Sequence, residues 1–328
     1  MQVVASQAPA TSRNELTALL AGCATYRVNR ALFSIAGRDR TRWLNGMVSN
    51  NIRDLAPGKG VYAFVLNPQG HVLGDLYVFN RGESLVAEIE RDQAQALLQG
   101  LRRYIIMDKV EIEDLSGEFE VIGITGPRST EVFASVGLNA DLPSLGIAKV
   151  EWSGLAVTLV RGDNTQYLSY ELWVPAPSAE TALARLIDAG AEEVGSETLE
   201  TFRILCGIPK VGQDIRERTL PQETGQDRAL NFNKGCYIGQ EIVERIRARG
   251  AVHRMFIGFQ IEGPPTAAGT KIQGEGKDVG EITSAMAHPL KGKQLALGYL
   301  RKESLGKELT AGEANVRAVT LPFTDIFS

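Results

Sequence analysis

Cysteine and histidine are scarce in this chain of 328 residues, with three of each. Cys23, Cys206 and Cys236 are far apart, odd in number and without a C-x-x-C pair, which argues against a disulfide framework and a cysteine-rich metal site. His71, His253 and His288 show no H-x-x-x-H spacing and no Cys/His cluster. A zinc centre therefore has no support, no permanently bound metal is expected, and each histidine reads as a surface or hydrogen-bonded residue. The chain also lacks G-x-G-x-x-G and G-x-x-x-x-G-K-[ST], so Rossmann and P-loop nucleotide chemistry have no anchor. With a net charge of −4 and a pI near 5.6 it has no global basic field, and no direct nucleic-acid partner is expected. No apolar run approaches the roughly 20 residues that span a bilayer. The first 14 residues lack the charged start and apolar centre of a signal peptide, so Met1 to Asn14 reads as a flexible tail. These absences lead to the expectation of a cytoplasmic protein, away from membranes.

What is present is ordinary globular composition, 44% hydrophobic and 23% charged. Such a length suits about two or three domains. Periodicity predicts a short helix from Leu16, a strand at Ala31–Ile35 and a helix through Arg40–Leu44 that ends near Asn50 and Asn51. Gly60–Leu66 and Val72–Phe79 read as strands joined by the turn Asn67-Pro68-Gln69-Gly70. A strand at Ser84–Ile89, a helix at Gln93–Tyr104 and a strand at Lys109–Glu113 follow. After Gly117 a comparable order recurs, with strands at Phe119–Ile124, Ala156–Val160 and Tyr167–Val174, and helices reaching Val136 and spanning Ala179–Ala189. Beyond His253, short β-type segments separated by Gly/Pro turns predict a small antiparallel barrel. The expected organisation is α+β: a tail to residue 14, α+β domains at 15–116 and 117–250, and a β-barrel at 251–328.

The run Lys234-Gly235-Cys236-Tyr237-Ile238-Gly239-Gln240-Glu241 sets a thiol between two glycines, beside a lysine and ahead of a helical pattern. The apolar series Ile238, Ile242 and Ile246, the Glu241 to Arg245 pair and Gly250 as a stop define that helix. An ammonium and a helix N-terminus can activate a thiolate. The same glycines equally suit a tight turn, with Cys236 buried as a small hydrophobe. Arg245 and Arg249 share a helix face, whereas Arg247 points elsewhere. Asp75 is a carboxylate in a β run, facing solvent by alternation or otherwise facing a pocket where it handles a proton.

K-G-C-Y-I-G-Q-E from Lys234, followed by Arg245 and Gly250, resembles the signature of the YgfZ family of folate-binding proteins. Glu200-Thr201-Phe202-Arg203-Ile204, Gly207-Ile208-Pro209, Gly212-Gln213-Asp214 and Pro221-Gln222-Glu223 are similar to the segment preceding it in that family, and weaker similarity runs from about Tyr26 to Tyr299. The superfamily also contains the glycine-cleavage T protein, a folate-dependent aminomethyltransferase. Asn67 to Asp75 resembles the T-protein segment with two adjacent aspartates, one of them catalytic, but Gly74 replaces the first. Thr165 to Glu171 resembles T-G-E-x-G-Y-E, with Tyr167 where the first glutamate would be.

The resemblance implies a T-protein-like fold, with a duplicated ferredoxin-like strand-and-helix region and a barrel arranged in a ring around a central folate site. It also implies tetrahydrofolate or a one-carbon derivative as cofactor, and a role in assembling or maintaining iron-sulfur clusters in client enzymes, including a tRNA-methylthiolating one. Folate and iron-sulfur client or assembly proteins are the expected partners, and a monomer is expected. A pterin needs a carboxylate, for which Glu171 is the candidate, and aromatic walls, for which Tyr170 and Tyr62 are candidates. Arg203 and Arg245 are the candidates for the folate glutamate tail. Cys236 would act as nucleophile, redox thiol or transient cluster ligand, and turnover of the protein's own is not required. Two alternatives remain: a glycine-cleavage aminomethyltransferase using Asp75, and a folate-independent thiol enzyme using Cys236.

Overall fold

The computed structural model describes residues 10–164, 166–250, 252–287 and 294–323. The chain divides into two compact units. One comprises Thr17–Val194 and Arg228–Ile242; the other comprises Met1–Leu16, Gly195–Asp227 and Val243–Ser328, as far as these are described.

Two sheets form the first unit. A five-stranded antiparallel sheet runs Gly60–Leu66, Val72–Asn80, Leu85–Glu90, Arg30–Ala36, Glu111–Asp114. A six-stranded sheet runs Glu192–Glu193, Ala24–Arg27, Phe119–Thr125, Ser169–Pro175, Leu155–Arg161, Ile147–Trp152. Its single parallel pairing joins Glu192–Glu193 to Ala24–Arg27. Successive side chains alternate faces, and both faces of these strands are apolar. In Val72–Asn80, Leu76 and Val78 pack under the helices Arg40–Met47 and Arg91–Arg102, while Tyr77 and Phe79 point the other way. The second sheet is covered likewise by Ser129–Ser135 and Ala179–Asp188. The inner faces meet through Leu32, Phe79 and Val86 from one sheet and Val121, Val160 and Trp173 from the other. The rings of Phe79 and Trp173 meet edge to face at 5.6 Å.

The order strand, helix, three strands, helix, strand occurs twice, from Arg30–Ala36 to Glu111–Asp114 and from Phe119–Thr125 to Glu192–Glu193. The expected duplicated layout is therefore present. The boundary expected between residues 116 and 117 does not divide the unit into separate bodies, because Leu115 and Phe119 enter the same inter-sheet core as Leu32 and Phe79. Residues 195–227 group with the barrel instead of with the second half.

Several elements differ from the sequence reading. The helix Ala10–Ala21 starts inside the segment read as a tail; residues 1–9, Thr165 and His288 lie outside the described residues. The helix Arg40–Met47 stops before Asn50 because Val48 is extended and Ser49 donates its N–H to the Phe64 carbonyl at 2.9 Å. Ile147–Trp152 is an edge strand whose Lys149 and Glu151 hide its β character.

In the second unit, Arg254–Glu262, Gln294–Arg301, Lys277–Ala287, Lys271–Gly274, Leu309–Ala311 and Ala314–Val319 close into a barrel around Phe259, Ile272, Ile282 and Leu300. Leu309–Ala311 and Ala314–Val319 were not anticipated, yet they complete the closure that removes free edges. Among the described residues no helix is long and apolar enough to cross a membrane.

Candidate functional site

Register brings polar side chains together where the two inner faces lose their apolar filling. Tyr62 pairs with Tyr77, Tyr77 with Glu88 and Glu88 with Leu32, so these four form one row across the first sheet. In the second sheet the corresponding row is Ile147, Val160, Glu171, Gly123 and Tyr26. Its one carboxyl, Glu171, faces Glu88 within hydrogen-bonding reach. Trp173 donates its Nε1–H to Glu171 Oε2 at 3.4 Å.

The aromatic side of the cleft is built by Tyr62 and Tyr77, with ring centroids 5.0 Å apart. Tyr62 donates its hydroxyl to Asp75 Oδ2 at 2.6 Å. Burial, reinforced by the Asp75 charge, pushes the Tyr62 phenol well above its usual range, which keeps it a donor. Arg228 lies over the Tyr62 ring at 4.2 Å and is ion-paired with Asp163, and Tyr77 donates to Asp163 Oδ1 at 3.3 Å. Arg30 stands 5.8 Å from the Tyr77 centroid and 3.4 Å from the Glu90 carboxylate.

Three buried polar atoms in this cleft have no hydrogen-bond partner among the described residues: Asp75 Oδ1, Glu88 Oε1 and Arg30 Nε. The last two are 3.7 Å apart, beyond hydrogen-bond length. A buried group without its hydrogen bond costs about 1–3 kcal/mol, and the ion pair between Arg30 and Glu88 offsets only part of that cost. Glu88 is 1% exposed, and burial together with the Glu171 charge pushes its carboxyl well above the ordinary carboxylate range.

Asp75 thus faces this pocket and not solvent. Position 74 lies on the opposite face, where a Cβ on Gly74 would meet Leu97 Cδ1 at 3.0 Å, so an aspartate there would be driven into the helix-covered core. Of the sequence-derived pterin contacts, Tyr62 and Glu171 line the cleft. Tyr170 does not: alternation turns it into the outer core against Phe133, at 5.1 Å. Arg203, in the barrel unit, commits all five guanidinium N–H donors to Glu200, Asp214, the Ile208 carbonyl and Ser284, which leaves none for a folate tail. Arg245 is exposed on the helix Gln240–Arg249. Arg30, Tyr77, Glu88, Asp163, Trp173 and Arg228 escaped sequence reasoning. Only Glu88, a charge inside the apolar run Leu85–Ile89, left a readable trace.

The signature string is a brace. Lys234 is buried and donates Nζ–H bonds to the carbonyls of Asn45, Val48 and Asn50, at 2.6, 2.5 and 2.8 Å, capping the end of the helix Arg40–Met47. Burial pushes its ammonium down to about 7, while the three acceptors match the three donors of the charged form. Lys234 therefore serves these carbonyls and not the thiol, contrary to the activating role read from the sequence. Gly239 has φ +84°, and a Cβ on it would meet the Asn67 carbonyl at 2.6 Å, so the motif fits the Asn67–Gly70 turn only as glycine. Tyr237 is buried, with Lys234 Nζ 4.8 Å from its ring centroid, and it donates its backbone N–H to Gln240 Oε1 at 3.3 Å. Gly235 and Glu241 are exposed. Cys236 is exposed, whereas Cys23 and Cys206 are buried, so the small-hydrophobe reading fails for Cys236. No group of three or more His, Cys, Asp or Glu suited to a metal ion occurs among the described residues.

Residues 10–234 match the GCVT N-terminal domain model, well over half of the chain. The chain belongs to the GCVT family. Residues 253–323 of this family member match the CAF17 C-terminal β-barrel domain. It is 29% identical over 300 residues to an aminomethyltransferase of Rippkaea orientalis, covering 87% of this chain and 79% of the relative. It is 24% identical over 285 residues to the putative chloroplastic transferase At1g60990 of Arabidopsis thaliana, covering 85% and 66%. Among solved structures, aminomethyltransferase T of the glycine cleavage system from Bartonella henselae superposes with a TM-score of 0.87 at 21% identity, over 96% of this chain and 90% of that one. The T-protein-like fold expected from the sequence is therefore observed.

These contacts make two effects measurable. Lys234→Met, which strands three carbonyls, is expected to cost about 2–4 kcal/mol in urea unfolding, whereas Cys236→Ser at an exposed position stays within about 0.5 kcal/mol. The folded state holds the Glu88 proton more tightly than the unfolded chain does. Its stabilising contribution is complete below about pH 4 and is lost as pH rises through the folded-state value. Glu88→Gln should therefore melt above the wild type at about pH 8 and lose that advantage near pH 4, as read by thermal unfolding at each pH.

Proposed function

We propose that the chain is a YgfZ-like tetrahydrofolate-binding accessory protein that assists the assembly or maintenance of iron-sulfur clusters in client enzymes, a tRNA-methylthiolating enzyme among them. The observation that carries the folate reading is the convergence of Asp75 Oδ1, Glu88 Oε1 and Arg30 Nε, buried and without hydrogen bonds among the described residues, beside Glu171 and the Tyr62 and Tyr77 rings. A reduced pterin has the matching chemistry: a flat ring for the aromatic wall and a polar edge for the carboxyls. The residues of the cleft fit such a ligand, with Glu171 on the ring edge and Tyr62 and Tyr77 on its face. The match of the C-terminal residues to the CAF17 barrel favours the accessory role, as does the braced motif that presents Cys236 as the exposed thiol among the three cysteines.

A second reading, folate-dependent aminomethyl transfer, draws on the relatives named aminomethyltransferase and on Asp75, the cleft-facing member of the aspartate pair, hydrogen-bonded to Tyr62. In that reading Asp75 and Tyr62 hold a proton beside the reacting ligand atom.

Anaerobic calorimetric titration with tetrahydrofolate should give saturable binding that Glu171→Ala weakens at least about tenfold, or about 1.4 kcal/mol. No binding to the wild type would defeat the folate reading. In cells lacking the protein, Cys236→Ser should fold and bind folate normally but fail to restore iron-sulfur enzyme activities. Full rescue by that variant would overturn the role given to Cys236, whereas formation of methylenetetrahydrofolate from an aminomethylated carrier that stops in Asp75→Asn would favour the transferase.

A further inference from the structure

Glu88 stands beyond the single carboxylate that a pterin site requires, and its placement is informative. It is 1% exposed, its Oε1 has no hydrogen-bond partner, and it faces Glu171 from the opposite sheet. The groups around it are Tyr77 and Leu32 beside it in the sheet, Arg30 and Glu90 at the strand ends, Asp75 further along the cleft and Glu171 across it. Arg30 is the cation nearest to it, and 3.7 Å is too far for a hydrogen bond. Two facing carboxyls in a space of low polarity cannot both ionise at modest cost, so one keeps its proton. A protonated carboxyl is a donor, which an ionised one is not.

We propose that Glu88 is a specificity residue of the cleft, reading the 4-oxo group of a 2-amino-4-oxopteridine while Glu171 reads the ring N–H and amino group beside it. This rests on the folate reading above. The ring edge of that ligand presents an acceptor followed by two donors. Its complement is one donor followed by two acceptors, which the Glu88 carboxyl as donor and the two carboxyl oxygens of Glu171 as acceptors supply together. Trp173, donating to Glu171 Oε2, orients that carboxylate. Without ligand the Glu88 proton bridges the pair; with ligand it turns to the oxo oxygen, and Glu88 meets a partner. An isolated carboxylate could not make this distinction, since it accepts from an amino group as readily as from a ring N–H.

The test titrates wild type, Glu88→Gln and Glu88→Leu with tetrahydrofolate and with its 4-amino counterpart, tetrahydroaminopterin, each protein first checked for a cooperative melt. The glutamine side chain keeps a neutral donor of similar shape, whereas leucine removes the donor and leaves an apolar filling that the sheet seam tolerates. The expected result is wild-type preference for the 4-oxo ligand, tetrahydrofolate affinity within about threefold in Glu88→Gln, and at least about tenfold weaker binding with the preference erased in Glu88→Leu. A purely structural role would shift both ligands equally and leave their ratio unchanged. An unchanged ratio in Glu88→Leu, or a glutamine variant as impaired as the leucine one, overturns the proposal while leaving folate binding intact. Absence of binding to the wild type overturns it together with the reading on which it rests.

Discussion

The cost of burying a carboxyl opposite another carboxyl organises this molecule. Two sheets packed face to face want apolar side chains throughout their seam, and Leu32, Phe79, Val86, Val121, Val160 and Trp173 obey. Glu88 and Glu171 break that rule on the same seam. Desolvation at such a place amounts to several kcal/mol for an ionised group; burial pushes the Glu88 carboxyl well above the ordinary range, Arg30 stands in ion-pair contact with it at 3.7 Å, and a tryptophan N–H reaches Glu171. Tyr62, Tyr77, Asp75 and Arg228 then extend the polar break into a lined cleft. A local violation of core logic, surrounded by intact packing, is where a ligand can recover what folding left unmet.

A second constraint acts through Lys234. A helix end leaves carbonyls without partners, and the helix Arg40–Met47 is followed by an extended residue, with no capping turn of its own. Lys234 meets the carbonyls of Asn45, Val48 and Asn50 from 189, 186 and 184 residues away in sequence, while Gly239 closes against the Asn67–Gly70 turn. The most distinctive string in the sequence is thus mainly a device for fixing one backbone segment against another, and Cys236 is carried between the two anchor points.

Much of the architecture was legible in the sequence because periodicity reports packing. Gly60–Leu66 matched residue for residue, and the amphipathic helices and the barrel appeared as expected. Edge strands such as Ile147–Trp152 escaped, since charges on their outer positions blur alternation. The cleft was half legible. Glu171 and Tyr62 were found through resemblance, while Tyr170, one residue from Glu171, was assigned to the cleft although the pleat sends it to the outer core. For Asp75 the sequence left solvent and pocket both open, because alternation cannot say whether a second sheet covers the face it points to. Arg203 and Lys234 have charges that fit the expected roles, yet their donors are consumed elsewhere: Arg203 by its near neighbours Glu200, Ile208 and Asp214 and by Ser284, Lys234 by carbonyls far along the chain. Arg228 and Asp163 meet only in the folded chain, and no local pattern announces such a pair.

The repeated order of elements has a consequence for how this protein can change. Glu88 and Glu171 lie on equivalent strands of the two halves, each the strand before the second helix. The neighbours in their rows have diverged, with tyrosines at 62 and 77 in one half and Ile147 and Val160 in the other. The halves are therefore unequal tenants of one seam: one furnishes the aromatic lining, the other little more than its acid and the indole that steadies it. Neither half alone contains the cleft. A shift of one residue in either strand would send its carboxyl to the helix-covered side, so the two copies are free to drift in composition but tied to each other in register.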